Sequence, residues 1–217
     1  MYSVFGLCNG MSGKGIVLVT IAYRYIEINS KRIGGKMKKA FVFCVLFTVL
    51  ALTSVQAQQA AAAELSFDFT RLSGSASNQF AIWIEDSQGL YVKTLYATRY
   101  TANGGFRRRE TSIPVWVSKS GLAGLERAQI DALTRATPRT GALTYTWDGT
   151  DSRGSVVPMG DYVIILEGTL RWANQVIYKA PIQLGQGAAT PTVTVEYTGD
   201  AGSDRAMINN VMVRVLK

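Results

Sequence analysis

From residue 64 onward, apolar and polar positions alternate along most of the chain with a period of two, the spacing of β-strands. Leu65, Phe67 and Phe69 alternate with Ser66, Asp68 and Thr70, which predicts a strand with one wet face, and Ser73-Gly74-Ser75-Ala76-Ser77 ends it. Phe80, Ile82 and Ile84 repeat the pattern with Ala81, Trp83 and Glu85 opposite. Asp86-Ser87-Gln88-Gly89 then turns the chain into Leu90 to Leu95, which predicts a β-hairpin.

The strongest pattern spans Leu143 to Glu167. Leu143, Tyr145 and Trp147 form one alternating run, and Tyr162, Ile164 and Leu166 form another, set against Val163, Ile165 and Glu167. Between them, Asp148-Gly149 and Pro158-Met159-Gly160 supply turn chemistry, so the whole stretch reads as a hairpin. Further strands are predicted at Trp172 to Leu184, Thr190 to Thr198 and Ala206 to Leu216, where Val211, Val213 and Val215 share a parity. A polar turn at Gly199 to Asp204 joins the last two. Leu122, Leu125, Ile130 and Leu133 lie on one side of a helix that Pro138 stops, and this helix is expected to cover one end of the sheets. About eight strands and one short helix predict an all-β fold, an immunoglobulin-like antiparallel β-sandwich. Trp147, Tyr162, Phe80, Ile82, Ile84, Leu143, Ile164 and Val195 are expected to face inward.

Composition changes the picture mainly at the N-terminus. The chain has 217 residues, 47 % of them apolar, and a net charge of +8. Residues 1–57 hold seven Lys/Arg and one acid, leaving sixteen Lys/Arg against fourteen acids in 58–217. The later region is nearly neutral, which argues against a nucleic-acid partner. Met37-Lys38-Lys39, the apolar run Ala40 to Leu52 and the small-residue sequence ending at Ala57 form a secretory signal peptide, 37–57, with cleavage before Gln58. This 13-residue run falls short of the ~20 that a spanning helix needs, so the membrane is a partner only before cleavage. Gly34-Gly35-Lys36 fits a purine-rich ribosome-binding sequence read as protein. Residues 1–36 are therefore expected to be a misread upstream extension, with translation starting at Met37. Residues 58–63 read as a flexible spacer and 64–217 as the folded domain.

The chemical inventory is short. The chain has no histidine, and both cysteines, Cys8 and Cys44, precede the cleavage site. Ser-His-Asp and Cys-His nucleophiles and ordinary zinc sites therefore drop out, so no catalytic residue and no metal site is predicted. Glu85 and Asp86 leave a strand on opposite faces, which disfavours a shared acid–base role. Asp148, Asp151 and Asp161 lack the ligand spacing of a calcium loop and read as Asx turns. Where the alternation stops, Arg107, Arg108 and Arg109 cluster with Arg99, Tyr100 and Phe106. Guanidinium forks suit carboxylates and phosphates and aromatic faces suit sugar rings, so this loop is the candidate partner contact, against the plainer reading of a solvated loop.

Asp131-Ala132-Leu133-Thr134-Arg135-Ala136-Thr137 resembles the signature of extracytoplasmic FMN-binding domains. That resemblance implies covalent FMN on Thr137 with Asp131 as the leading acid, although Arg135 stands where the pattern has glycine. Phe80 to Asp86, Val92 to Leu95, Asp131 to Pro138 and Trp147 to Tyr162, taken in order, resemble the predicted periplasmic family known as domain of unknown function 2271. This implies secretion and a β-rich fold and supplies no catalytic residues. Trp147 to Tyr162 alone is also similar to the immunoglobulin-like insert of flagellar hook-capping proteins. The leading expectation is a secreted, non-enzymatic binding or assembly module of the bacterial envelope, without a cofactor, whose partner is an envelope protein or glycan. The alternatives are a flavinylated extracytoplasmic electron carrier and a hook-cap-like assembly protein.

Overall fold

The computed structural model describes residues 62–216. The signal peptide, the upstream extension and the start of the spacer lie outside the described residues. Nine strands form two sheets among the described residues. In the smaller sheet, β1 (Ala63–Phe69) is flanked by β5 (Gly141–Trp147) and β9 (Ile208–Val215). The larger sheet has the order β4 (Thr134–Arg135), β3 (Tyr91–Thr98), β2 (Gln79–Asp86), β6 (Gly160–Arg171), β7 (Asn174–Leu184), β8 (Thr194–Thr198). Every pair is antiparallel except β3–β4, which is parallel. The chain is therefore an all-β sandwich, as its alternation predicts.

The alternating residues build the core between the sheets. Leu65, Phe67 and Phe69 from β1 meet Phe80, Ile82 and Ile84 from β2 and Ile164 and Leu166 from β6, all buried. The β2–β3 hairpin forms at its expected turn, where Asp86 Oδ1 accepts the N–H groups of Gln88 and Leu90 at 2.9 Å each. The first strand begins at Ala63 rather than Glu64, because Ala62 N–H already donates to the Trp147 carbonyl and Ala63 is fully buried. In β9 a bulge at Asn210–Val211 lets Ile208 and the Val211, Val213, Val215 series share the inner face, with Asn210 at φ +53° and its amide donating to Asp68 at 2.7 Å.

Three expectations are corrected. The Leu143–Glu167 stretch is not a hairpin: β5 pairs with β1 in the small sheet, β6 pairs with β2 and β7 in the large one, and residues 148–159 cross between sheets. Twelve residues exceed the two to five of ordinary hairpin loops, and both strands find better apolar neighbours in separate layers. Second, Val195 is 50 % exposed. Its register partner Tyr178 is buried, but β8 is the edge strand of a six-stranded sheet that faces only three, and at that edge the Val195 side chain stays half in solvent. Third, the single helix is two, α1 (Pro114–Lys119) and α2 (Arg127–Leu133), separated by Gly121 at φ +63° and a single turn at Leu122–Gly124. They do not cap an end of the sandwich. Ile113, Trp116 and Leu122 pack with Ala81, Trp83, Ala97 and Ile165 on the outer face of the large sheet, forming a second core and burying β2 on both faces.

Candidate functional site

The segment between β3 and β4 is the main addition to the sandwich, and a buried polar clasp fastens it down. Glu167 sits in β6 between Ala81 and Ile177, fully buried. Its carboxylate accepts the N–H groups of Val115 at 3.0 Å and Trp116 at 2.7 Å, first-turn amides of α1 that no helix carbonyl reaches. Burial pushes the Glu167 carboxyl up to about 7, and the two amide bonds offset only part of that rise. Just before α1, Ile113 stands at φ +43°, a costly conformation for a β-branched residue. Its N–H donates to Thr169 Oγ1 at 2.9 Å and its side chain is buried, which holds it there. Thr101 and Ser112 hydroxyls lie 2.6 Å apart, and Thr101 also donates to Gln79 Oε1 at 3.2 Å. At the far end of α1, Lys119 donates to the Gly89 carbonyl at 2.6 Å and pairs with Glu85 at 3.2 Å.

On this platform the arginine loop takes a defined shape. Tyr100 leads into a π-helical turn, Thr101–Gly105, that runs on into a short turn at Phe106–Arg108. A Cβ on Gly105 would overlap the Tyr100 carbonyl oxygen and ring, so only glycine lets the turn close against the tyrosine. Arg99, Tyr100, Arg107 and Arg108 line one groove of about 600 Å³ together with Asn103 and the two glycines. Tyr100 is 46 % exposed and all three arginines are exposed.

The sequence grouped Arg107, Arg108 and Arg109 as one contact, and the fold divides them. Arg109 turns back into the protein, donating from Nη2 to Ser112 Oγ at 3.1 Å with its guanidinium 5.4 Å from the Tyr100 ring centroid. Burial lowers its pKa. Arg99 takes its place at the groove. Phe106 is half-buried beneath the Arg107 guanidinium, 5.2 Å away, and lines a separate groove with Leu122 and Ile130.

Of the acidic residues singled out in the sequence, Asp148, Asp151, Glu85 and Asp86 are employed locally, while Asp161 is exposed at the start of β6 and forms no Asx turn among the described residues. Asp148 accepts the Thr150 N–H at 3.1 Å and pairs with Lys93 at 3.0 Å. Burial opposes its ionisation, but the bonds from Thr150 and Lys93 outweigh it and lower the pKa. Asp151 accepts the N–H groups of Arg153 and Ser155 at 2.9 Å each, so both residues form Asx turns. Glu85 accepts the Trp83 indole N–H at 2.8 Å while Asp86 caps the hairpin, a division of labour consistent with opposite faces.

Asp131 and Thr137 fall on different elements. Asp131 is exposed on α2, 4.0 Å from Arg127, and Thr137 is half-buried in the extended strap after β4. Next to it, the Ala136 carbonyl accepts the Tyr96 hydroxyl at 3.0 Å, and the exposed Arg135 occupies β4 opposite Thr98. An ester at Thr137 requires a transferase to reach that half-buried hydroxyl beside an arginine where glycine would leave room.

Glu167 was missed as a site residue. A signal existed: Val163 to Leu170 is nearly all apolar, the mark of a strand buried on both faces, and a carboxylate inside such a run needs a partner from another element.

The family model described as Predicted periplasmic protein (DUF2271) matches residues 61–203. The chain belongs to this family and is periplasmic. No curated protein matches it. Among the described residues no helix is long and apolar enough to cross a membrane.

Proposed function

We propose that this periplasmic DUF2271 protein is a non-enzymatic binding module that recognises an anionic glycan of the cell envelope through the Arg99–Tyr100–Arg107–Arg108 groove. One observation carries the reading. Three guanidinium groups and an exposed aromatic ring from two sides of a tight turn converge on one groove, on a loop that Glu167, Thr169 and Gln79 hold against the sheet. Guanidinium forks pair with carboxylate or phosphate in two-point contacts, and the phenol ring offers a face for a sugar. Fastening the loop before binding removes ordering cost that a mobile loop would bear.

The experiment is a calorimetric titration of the protein, purified from the periplasm of an exporting host, with oligogalacturonate and with a neutral oligosaccharide of equal length. The reading expects saturable binding of the acidic oligomer, at least tenfold tighter than the neutral one, and lost when Arg99, Arg107 and Arg108 are replaced by serine. Equal affinity for both oligomers, or retention in the serine variant, overturns it. Within this reading Thr137 carries no flavin. An intact mass measured after co-expression with a flavin transferase tests that, and a covalent FMN adduct lost in Thr137→Ala would favour the electron carrier instead.

A further inference from the structure

A second cavity lies on the opposite side of β3, at the open edge of the sandwich. There β5 ends the small sheet, while β3 is covered by β4 only at Ala97 and Thr98. The strap from Ala136 to Thr140 crosses from one sheet to the other, and Arg71 N–H donates to Thr140 Oγ1 at 2.9 Å to hold its far end. Beneath the strap is a slot of about 430 Å³, within the range of small-molecule sites. Its floor is aromatic. Tyr96 stacks on Phe80 at 4.7 Å and meets Tyr145 at 4.9 Å, while Tyr145 has Phe67 behind it at 6.1 Å. Leu95, Leu143, Ala136 and Pro138 complete its lining, with the exposed Arg135 at the rim.

We propose that this slot binds a planar aromatic or conjugated anion, its ring lying against Tyr145 between Leu95 and Leu143 and its carboxylate meeting the Arg135 guanidinium. Its rings are fixed from behind by Phe67 and Phe80, so the floor offers a flat, pre-set surface. The rim supplies one cation, Arg135, whose charge opposes the rise that burial gives the Tyr96 and Tyr145 phenols. A ring with one anionic group satisfies both features, whereas a neutral ring leaves the guanidinium unused and a small inorganic anion leaves the slot unfilled. The site is independent of the arginine groove, and neither reading needs the other.

The probes are 2-naphthoate and its neutral counterpart 2-naphthamide, titrated into periplasm-purified protein by calorimetry and followed by amide chemical shifts. The expected result is one-to-one binding of the naphthoate, with shifts centred on Leu95, Ala136 and Thr144 to Thr146. The naphthamide should bind at least tenfold more weakly, and Arg135→Gln should weaken the naphthoate at least tenfold with an unchanged melting temperature. Arg135 is exposed, so this variant tests the site without disturbing the core. A Leu95→Trp variant, which fills the slot, should also abolish binding while the fold persists by circular dichroism. No saturable binding overturns the proposal, as does binding equal for the two probes or binding lost in the Arg99, Arg107, Arg108 serine variant but kept in Arg135→Gln.

Discussion

The Trp147 indole and the Tyr162 ring meet edge to face, with centroids 5.2 Å apart, although their strands belong to different sheets. Each ring is also fastened to the crossing loop between them. The Trp147 indole N–H donates to the Thr150 carbonyl at 2.9 Å, and the Tyr162 hydroxyl donates to the Pro158 carbonyl at 2.8 Å. The pair joins the two layers at the point where the chain passes from one to the other.

Removing that joint should be expensive. Trp147 is fully buried, and Trp147→Ala is expected to cost about 3–5 kcal/mol, since truncating a large core aromatic leaves a cavity and here also orphans the Thr150 carbonyl. Urea denaturation checks it through a lowered midpoint with an unchanged slope. A variant as stable as the parent would remove Trp147 from the core.

At Gly168 the packing between the sheets leaves no room for a side chain. A Cβ there would come 2.6 Å from Ile208 Cδ1 and 3.2 Å from Met207 Cε, both of them buried. Gly168→Ala should therefore destabilise by about 1–3 kcal/mol as the small sheet shifts outward, which thermal melts would register. Unchanged melting would mean that the sheets separate there without cost.

Glu167 gives stability a pH dependence of unusual sign for a carboxylate. Its folded pKa, about 7, stands above the 4.5 of an ordinary glutamate, so the fold binds the proton more tightly than the unfolded chain does. Its contribution is fully present below about pH 4.5 and is lost as pH rises through 7. The swing is on the order of 3 kcal/mol for a shift of this size. Glu167→Gln should flatten stability between pH 5 and 8 while losing one of the two amide contacts to α1, because the Gln carboxamide nitrogen cannot accept. Denaturation midpoints at both pH values decide it. A parent protein that gains stability over this range would contradict the assignment.

Gly105 links the fold of the loop to its proposed use. Gly105→Ala would force the turn away from Tyr100 and reshape the groove without touching the sandwich core. At least a tenfold loss of oligogalacturonate binding is expected together with a lowered melting temperature, because Ala102 of the same buried turn belongs to the second core. Binding as tight as the parent's would contradict the link between the turn and the groove.

Much of this architecture was legible in the sequence because period-two alternation reports which face of a strand is dry. Phe80, Ile82, Ile84 and Ile164 face the core as their parity indicates. Strand partners were not legible. Alternation marks the faces of β5 and β6 equally well whether they pair with each other or with β1 and β2, and only the length of the 148–159 connection argued against a hairpin. Val195 carried the right parity and failed because parity cannot show where the opposing sheet ends. In the candidate site, the basic loop was visible as composition, but the inward turn of Arg109 depends on Ser112 and Tyr100, and the clasp depends on Glu167, 51 residues from the Trp116 amide it holds.

The groove is tested most directly by exposing the native envelope to it. Immobilised protein, purified from the periplasm, is incubated with solubilised envelope glycan, and the retained uronic acid and phosphate are measured for the parent and for the variant with Arg99, Arg107 and Arg108 changed to serine and Arg109 left intact. The account predicts retention by the parent, release on raising salt from about 50 to about 500 mM, and at least tenfold less retention by the variant at an unchanged melting temperature. Equal retention by the two proteins would contradict it.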